Sequence, residues 1–222
     1  MSLAPKSGVY RTIPVGHRLH APFLTILMAF DTLTTALAVR FVPNFQMADN
    51  LYCQFPLPDR KTFIGIDTRP IADAILTSGE IPPLVFFHVD PEEVQQLARA
   101  TEGFGREKYY SFSDSVTNGM YLEMFETHAP WLGANVNSDS NQQPELVRFA
   151  RMVRNAIGHH GIISWDNPNP AIPPVKWYNF EISRLDNGRR FIGTEFHMYH
   201  SIALMIEFSD ELDRLGCPHT LP

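Results

Sequence analysis

The sequence predicts a mainly α protein, a helical bundle carrying a β-hairpin and a few short strand decorations, and three observations predict it. Apolar residues recur at steps of three and four through Leu19–Phe41, through the stretch opening at Pro144, and through Glu195–Leu215. Strand-like patterns are all short, the longest being Val175–Ser183. The prolines fall between these apolar stretches rather than in one tract, so they mark formed loops and not disorder.

Composition supports one domain over residues 1–222. A chain of 222 residues with 44% apolar and 12% aromatic content can fill a full core. Its net charge of −6, with 18 Lys+Arg, argues against binding duplex nucleic acid over the whole surface, because such binding needs broad phosphate neutralisation. A local basic site is still available, since Arg148, Arg151 and Arg154 share one segment. The two cysteines, Cys53 and Cys217, form no spacing pattern, which points to a reducing, cytoplasmic setting. Residues 1–6 lack the apolar core of a signal peptide. Ala21–Val42 is broken by Asp31, Arg40 and four threonines and is too polar to cross a bilayer, so no membrane association is expected.

Taken in order, residues 1–18 hold Pro5, Pro14 and scattered charge and read as an irregular surface segment. The helix Leu19–Phe41 follows, with Phe23, Leu27, Phe30, Thr34, Leu37 and Phe41 on one stripe, Pro22 in its first turn and Pro43 ending it. Residues 43–60, with Pro43, Pro56 and Pro58, read as a loop. Thr62–Ile66 and Leu84–Val89 are short strand candidates, with a short helix at Ile71–Leu76 between them. Asp90 as N-cap, Pro91 at the first helical position and Glu93 three residues after the cap open a helix to about Ala100. Ser113–His128 is the next helix, stopped by Pro130, and residues 133–142 are a polar loop.

A helix with Pro144 in its first turn then presents Leu146, Phe149, Ala150, Val153 and Ile157 as its apolar face. Pro168, Pro170, Pro173 and Pro174 force an extended crossing. Val175–Ser183 alternates as a strand, and Asp186-Asn187-Gly188 before residues 189–192 signals a hairpin. The final helix, Glu195–Leu215, places Met198, Ile202, Met205 and Ile206 together.

The chemically pointed segment is Arg154-Asn155-Ala156-Ile157-Gly158-His159. Asn155 and His159 are four apart and share a face if the helix continues. Arg154 stands about 140° away from His159 around an ideal helix, and reaches the same site from the flank or if Gly158 distorts the last turn. A histidine titrating near neutrality moves the 2′-hydroxyl proton or protonates the leaving oxygen. An arginine stabilises charge growing on the phosphate, and an asparagine positions either partner. DNA lacks the 2′-hydroxyl, so the set suits metal-independent cleavage of RNA.

These residues resemble the R-x4–6-H motif of the HEPN superfamily (higher eukaryotes and prokaryotes nucleotide-binding domains). The resemblance implies a HEPN-like helical domain, in which Arg154, Asn155 and His159 are the catalytic residues of a metal-independent endoribonuclease. It further implies a homodimer with a composite site, and a toxin–antitoxin or defence setting with an antitoxin or regulatory partner. Gly161 stands where some toxin members place a tyrosine, and the proline-rich stretch and hairpin at 166–193 exceed a minimal member.

Around the motif, Arg151, His160 and Trp165 are candidates for contacting substrate. His160 falls closer to the apolar seam, which favours a structural role. Trp177 and Tyr178 are aromatic candidates for base stacking, but Trp177 suits core or hairpin packing better than Trp165 does. A competing structural reading pairs Arg154 with an acid such as Asp31 and leaves His159 at a helix C-terminus, where positive charge is favoured. His197 and His200 lack a third ligand at a recognised spacing, so no metal is expected. Gly103-Phe104-Gly105 is too little for a phosphate loop, no Ser-His-Asp or Cys-His spacing argues for acyl transfer, and no cofactor is implied. Two other classes stand beside the ribonuclease: a non-catalytic dimeric interaction or regulatory module, and a nucleotide-binding domain.

Overall fold

A computed structural model describes residues 9–41, 52–56, 63–68, 82–90, 92, 106–165 and 172–221. The chain groups into two compact units, Met1–Val116 and Thr117–Pro222. Four helices and two small antiparallel sheets occur among the described residues, so the architecture is mixed rather than plainly a helical bundle.

In the first unit, strands β1 (Val9–Ile13), β2 (Tyr52–Pro56), β3 (Phe63–Asp67) and β4 (Leu84–Val89) form one antiparallel sheet in the order β1-β4-β3-β2. The two central strands are those with apolar runs in the sequence. The two edge strands lie in segments expected to be irregular (1–18) and a loop (43–60), and both expectations are corrected. An edge strand is half-paired and tolerates proline and charge, so β1 and β2 carry little apolar signal of their own. Gly65 pairs with Phe87 across β3 and β4. The Phe87 ring covers it so closely that an added Cβ would lie 2.6 Å from Cζ.

Helix α1 (His20–Phe41) follows β1. It buries Phe23, Leu27 and Phe30 of the expected stripe, with Ile26 and the preceding Leu19 beside them, while the side chains of Thr34, Leu37 and Phe41 lie outside the described residues. Phe23 packs on Phe86 of β4 at 5.2 Å between ring centres. Asp90 accepts a 2.9 Å bond from the Glu92 N–H, the contact expected of an N-cap. The helix expected to about Ala100 and the short one at Ile71–Leu76 otherwise lie outside the described residues, as does the side chain of Asp31. No helix among the described residues is long and apolar enough to cross a membrane.

Helix α2 (Arg106–Asn135) runs through Pro130 instead of stopping there. An internal proline removes one backbone bond, a cost of about 3 kcal/mol. Here Pro130 is exposed, so the Glu126 carbonyl it deprives of a donor sits on an exposed residue, while buried Leu132 anchors the continuing turn.

The second unit also contains α3 (Glu145–Gly158), β5 (Val175–Trp177), β6 (Phe180–Ile182) and α4 (Met198–Arg214). Val175–Ser183 is therefore not one strand but a tight hairpin, turning at Tyr178 with φ of 50°. That left-handed value suits the first central position of a two-residue turn. The Asp186-Asn187-Gly188 signal belongs to a short 3-10 turn (Arg184–Asp186) that returns the chain to Gly161–Ile163. Ile163 N–H donates to Arg189 O at 2.9 Å, Gly188 N–H to Ile163 O at 2.9 Å, and Phe191 N–H to Gly161 O at 2.8 Å. Arg189 locks this return between Asp186 and Glu195, lying over Phe191.

The core of this unit is aromatic. Phe149 of α3 packs against Trp177 and Phe196, which join Phe180, Phe191 and the buried ring of His200. Phe125 of α2 stacks on Phe208 of α4 at 5.4 Å. Tyr121 donates from its buried hydroxyl to Ala150 O, 2.7 Å away in the middle of α3, and burial pushes its pKa well above the usual value. The final helix begins at Met198 rather than Glu195, because residues 191–196 are held in a turn by three backbone bonds to Phe191 O.

Candidate functional site

Helix α3 positions nearly all of the candidate residues. Its buried positions are Val147, Phe149, Ala150, Val153 and Ala156, so the face is rotated slightly from expectation, with Leu146 and Ile157 only half-buried. The arginines at 148, 151 and 154, together with Asn155, flank this seam and are all half-buried.

The helix ends at Gly158 in a left-handed cap. His160 N–H donates to Ile157 O at 3.2 Å and Gly161 N–H to Ala156 O at 2.7 Å, the paired bonds of a Schellman motif. His160 occupies the left-handed position with φ of 58°, where glycine is preferred. Its side chain is exposed and away from the apolar seam, contrary to expectation. His159 is the residue before it (φ −103°, ψ 37°) and still donates its N–H to Asn155 O at 2.9 Å. The His159 ring is exposed and has no hydrogen-bond partner among the described residues.

Arg154 is committed differently. Its Nε and Nη2 both bond Glu126 of α2, and its Nη1 donates to Asn155 Oδ1 at 3.1 Å. The acid that meets Arg154 among the described residues is Glu126, and the Asp31 side chain lies outside them. The two side chains are 38% and 50% exposed, so this is a surface ion pair, worth about 0–1 kcal/mol. An incoming phosphate can compete for such an arginine.

Arg148 and Arg151 are held by acceptors that carry no charge. Arg148 Nη2 donates to Pro173 O at 2.7 Å, while Arg151 Nη1 donates to Ser140 O at 2.7 Å and its Nη2 to Gln143 Oε1. Burial, and then the like charge of Arg148, push the Arg151 guanidinium down from its usual pKa, with Asp139 pulling the other way. It stays a cation. Both arginines line a cleft of about 160 Å³ with Asn155 and Trp165. Three of the six candidates (Arg151, Asn155 and Trp165) thus meet in one cleft, while Arg154, His159 and His160 lie outside its walls. Arg148 is the member that motif reasoning left out, although its place three residues before Arg151 had marked it as part of the basic segment.

The aromatic candidates also separate. Trp177 Nε1–H and Tyr178 O–H both donate to Glu207, at 2.7 Å each, and Trp177 is buried in the core. Trp165 has its Nε1–H enclosed with no acceptor among the described residues. His200 is buried, and its Nδ1 accepts from the His197 N–H at 2.9 Å, so this pair builds the start of α4.

Comparison of the chain with family models, curated proteins and solved structures gives no match in any of the three. The HEPN resemblance therefore rests on Arg154, Asn155 and His159 themselves, at the end of an amphipathic helix.

Proposed function

We propose that this protein is a HEPN-like, RNA-directed domain and a metal-independent endoribonuclease. The observation that carries the reading is the exposed ring of His159 at the end of a helix that also presents Arg148, Arg151 and Arg154. His159 is the general acid/base. As the 2′-oxygen attacks phosphorus, its proton is taken up, the bond to the 5′-oxygen breaks, and that oxygen receives a proton on leaving. The products are a 2′,3′-cyclic phosphate and a 5′-hydroxyl. Arg154 exchanges Glu126 for the phosphate as negative charge builds, and Asn155, bonded to Arg154, positions it. In the homodimer that the resemblance implies, two such helix ends would contribute to one site.

The test is cleavage of a mixed structured RNA in excess EDTA by the wild type and by His159→Ala. General acid–base catalysis contributes about 10²–10⁴-fold, so the variant loses at least about 100-fold in rate, and wild-type products end in cyclic phosphate. Equal cleavage by both proteins sinks the assignment of His159. A second reading, a non-catalytic binding or regulatory module, is favoured by the commitment of Arg154 to Glu126. It predicts RNA binding by the wild type with no EDTA-resistant cleavage.

A further inference from the structure

We infer that the cleft between α3 and residues 140–141, 164–165, 172 and 175 is a nucleotide subsite, holding one phosphate at Arg148 and Arg151 and one base at Trp165 and Asn155. The inference rests on the RNA reading for its biological context, and on the cleft alone for its chemistry.

The strongest polar groups of the cleft are all donors. Each guanidinium carries five N–H groups; Arg148 directs one of them to Pro173 O, and Arg151 directs two to Ser140 O and Gln143 Oε1. These neutral anchors fix both cations without cancelling their charge, and no carboxylate forms an ion pair with either one among the described residues. Two like charges three residues apart on one helix, partly desolvated, repel each other. A phosphate relieves that repulsion and matches the guanidinium fork.

Beside them, Asn155 has its Oδ1 taken by Arg154, so its Nδ2 donors are the available side. The Nε1–H of Trp165 is enclosed, with no acceptor among the described residues, so the indole offers the ligand its ring rather than its donor. A donor that meets the 4-position of a pyrimidine favours uracil, whose O4 accepts, over cytosine, whose N4 amino group is itself a donor, and guanine accepts likewise through O6 and N7. The indole adds stacking surface available only to an unpaired base, so the strand is single. At about 160 Å³ the cleft encloses only part of one nucleotide, the rest lying in the open mouth.

The test is fluorescence anisotropy of a short labelled oligo(U) binding to the full chain. Competitors are unlabelled oligo(U), oligo(C), UMP and inorganic phosphate. Oligo(U) should bind more tightly than oligo(C) by at least about threefold. Arg148→Gln and Trp165→Leu should each weaken oligo(U) by about tenfold, within the range of one lost stacking or charge-assisted contact. Arg148→Lys should recover part of the loss. Arg214→Gln, an exposed arginine on α4 paired only with Glu211, serves as the charge control and should not change affinity. Thermal melts of each variant show whether the fold is retained.

Displacement by UMP assigns the site to free mononucleotides, and binding of oligo(U) with no effect of UMP assigns it to a strand. Wild-type affinity in both cleft variants overturns the subsite, as does displacement by phosphate equal to that by UMP, or a preference for oligo(C). Failure of the ribonuclease reading looks different: RNA goes uncut while the cleft variants still lose affinity.

Discussion

The two ends of α3 carry the same kind of cation in opposite states. Near its start, Arg148 and Arg151 are anchored by carbonyl and amide oxygens and keep their charge for something else. Near its finish, Arg154 is neutralised by Glu126, and the group with no hydrogen-bond partner among the described residues is the exposed ring of His159. Anchoring by uncharged acceptors builds a standing anion site. Anchoring by a carboxylate builds one that opens only by exchange. On the proposed reading the difference divides labour along one helix, with binding at the first end and chemistry at the second.

The largest effect comes from removing the platform that both ends share. Phe149→Ala takes the ring from between Trp177 and Phe196 and should destabilise the unit by about 3–5 kcal/mol. Denaturant melts would show it, with cleavage and oligo(U) binding lost together at temperatures where the variant is unfolded. Separate loss of one function would mean the two ends do not depend on the same helix.

Breaking the contrast itself needs only Glu126→Gln, which frees Arg154. RNA affinity should rise by up to about fivefold, the equivalent of the roughly 0–1 kcal/mol held by an exposed pair, with little change in melting temperature. A fall in affinity would show that Glu126 orients Arg154 for RNA rather than competing with it.

A smaller change is expected at the left-handed cap. His160→Gly relieves side-chain strain at φ of 58° against the extra freedom glycine gives the unfolded chain. A net gain of about 0.5–1 kcal/mol in chemical denaturation is expected, and the change should leave oligo(U) affinity at the cleft alone.

The smallest effect is a pH dependence confined to the segment that follows the cap. Burial by itself raises the Asp186 carboxyl, but hydrogen bonds from the Ser183 N–H and hydroxyl, and then Arg189, outweigh it and hold the pKa below its ordinary 3.8. A lowered folded-state pKa stabilises the fold fully above the ordinary value, and that contribution is lost as pH falls through the folded value. Amide exchange at Ile163 and Gly188 should therefore accelerate below about pH 4. Asp186→Asn should already exchange fast at neutral pH and lose the acid step.

Much of this was legible in the chain, for reasons that can be assigned residue by residue. The α1 stripe, the start of α3 at Pro144 and the central strand β4 announced themselves, because a buried surface repeated over many residues leaves a period in the sequence. The edge strands β1 and β2 left none, since one side of each has no partner to select for apolar residues. Asp186-Asn187-Gly188 promised a turn and delivered one, but not its destination. The pairing of residues 188–191 with 161–163 is set by the aromatic core beneath, which no local pattern encodes. At the site, Arg151 and Trp165 were candidates for substrate contact and Asn155 for catalysis, and the three line one cleft because α3 and the residues after its cap bring them together. The role of Glu126 was hidden, because it lies 28 residues before Arg154 on another helix.

The hydrogen bond from Tyr121 to Ala150 O has a consequence for where a strand would be cut. It ties the middle of α3 to α2, and losing it would leave a buried hydroxyl with nothing to donate to. The axial separation of Arg151 and His159, eight residues or about 12 Å, is then a fixed length. On the proposed reading the helix is a measuring rod: a nucleotide seated at one mark sets which bond reaches the other.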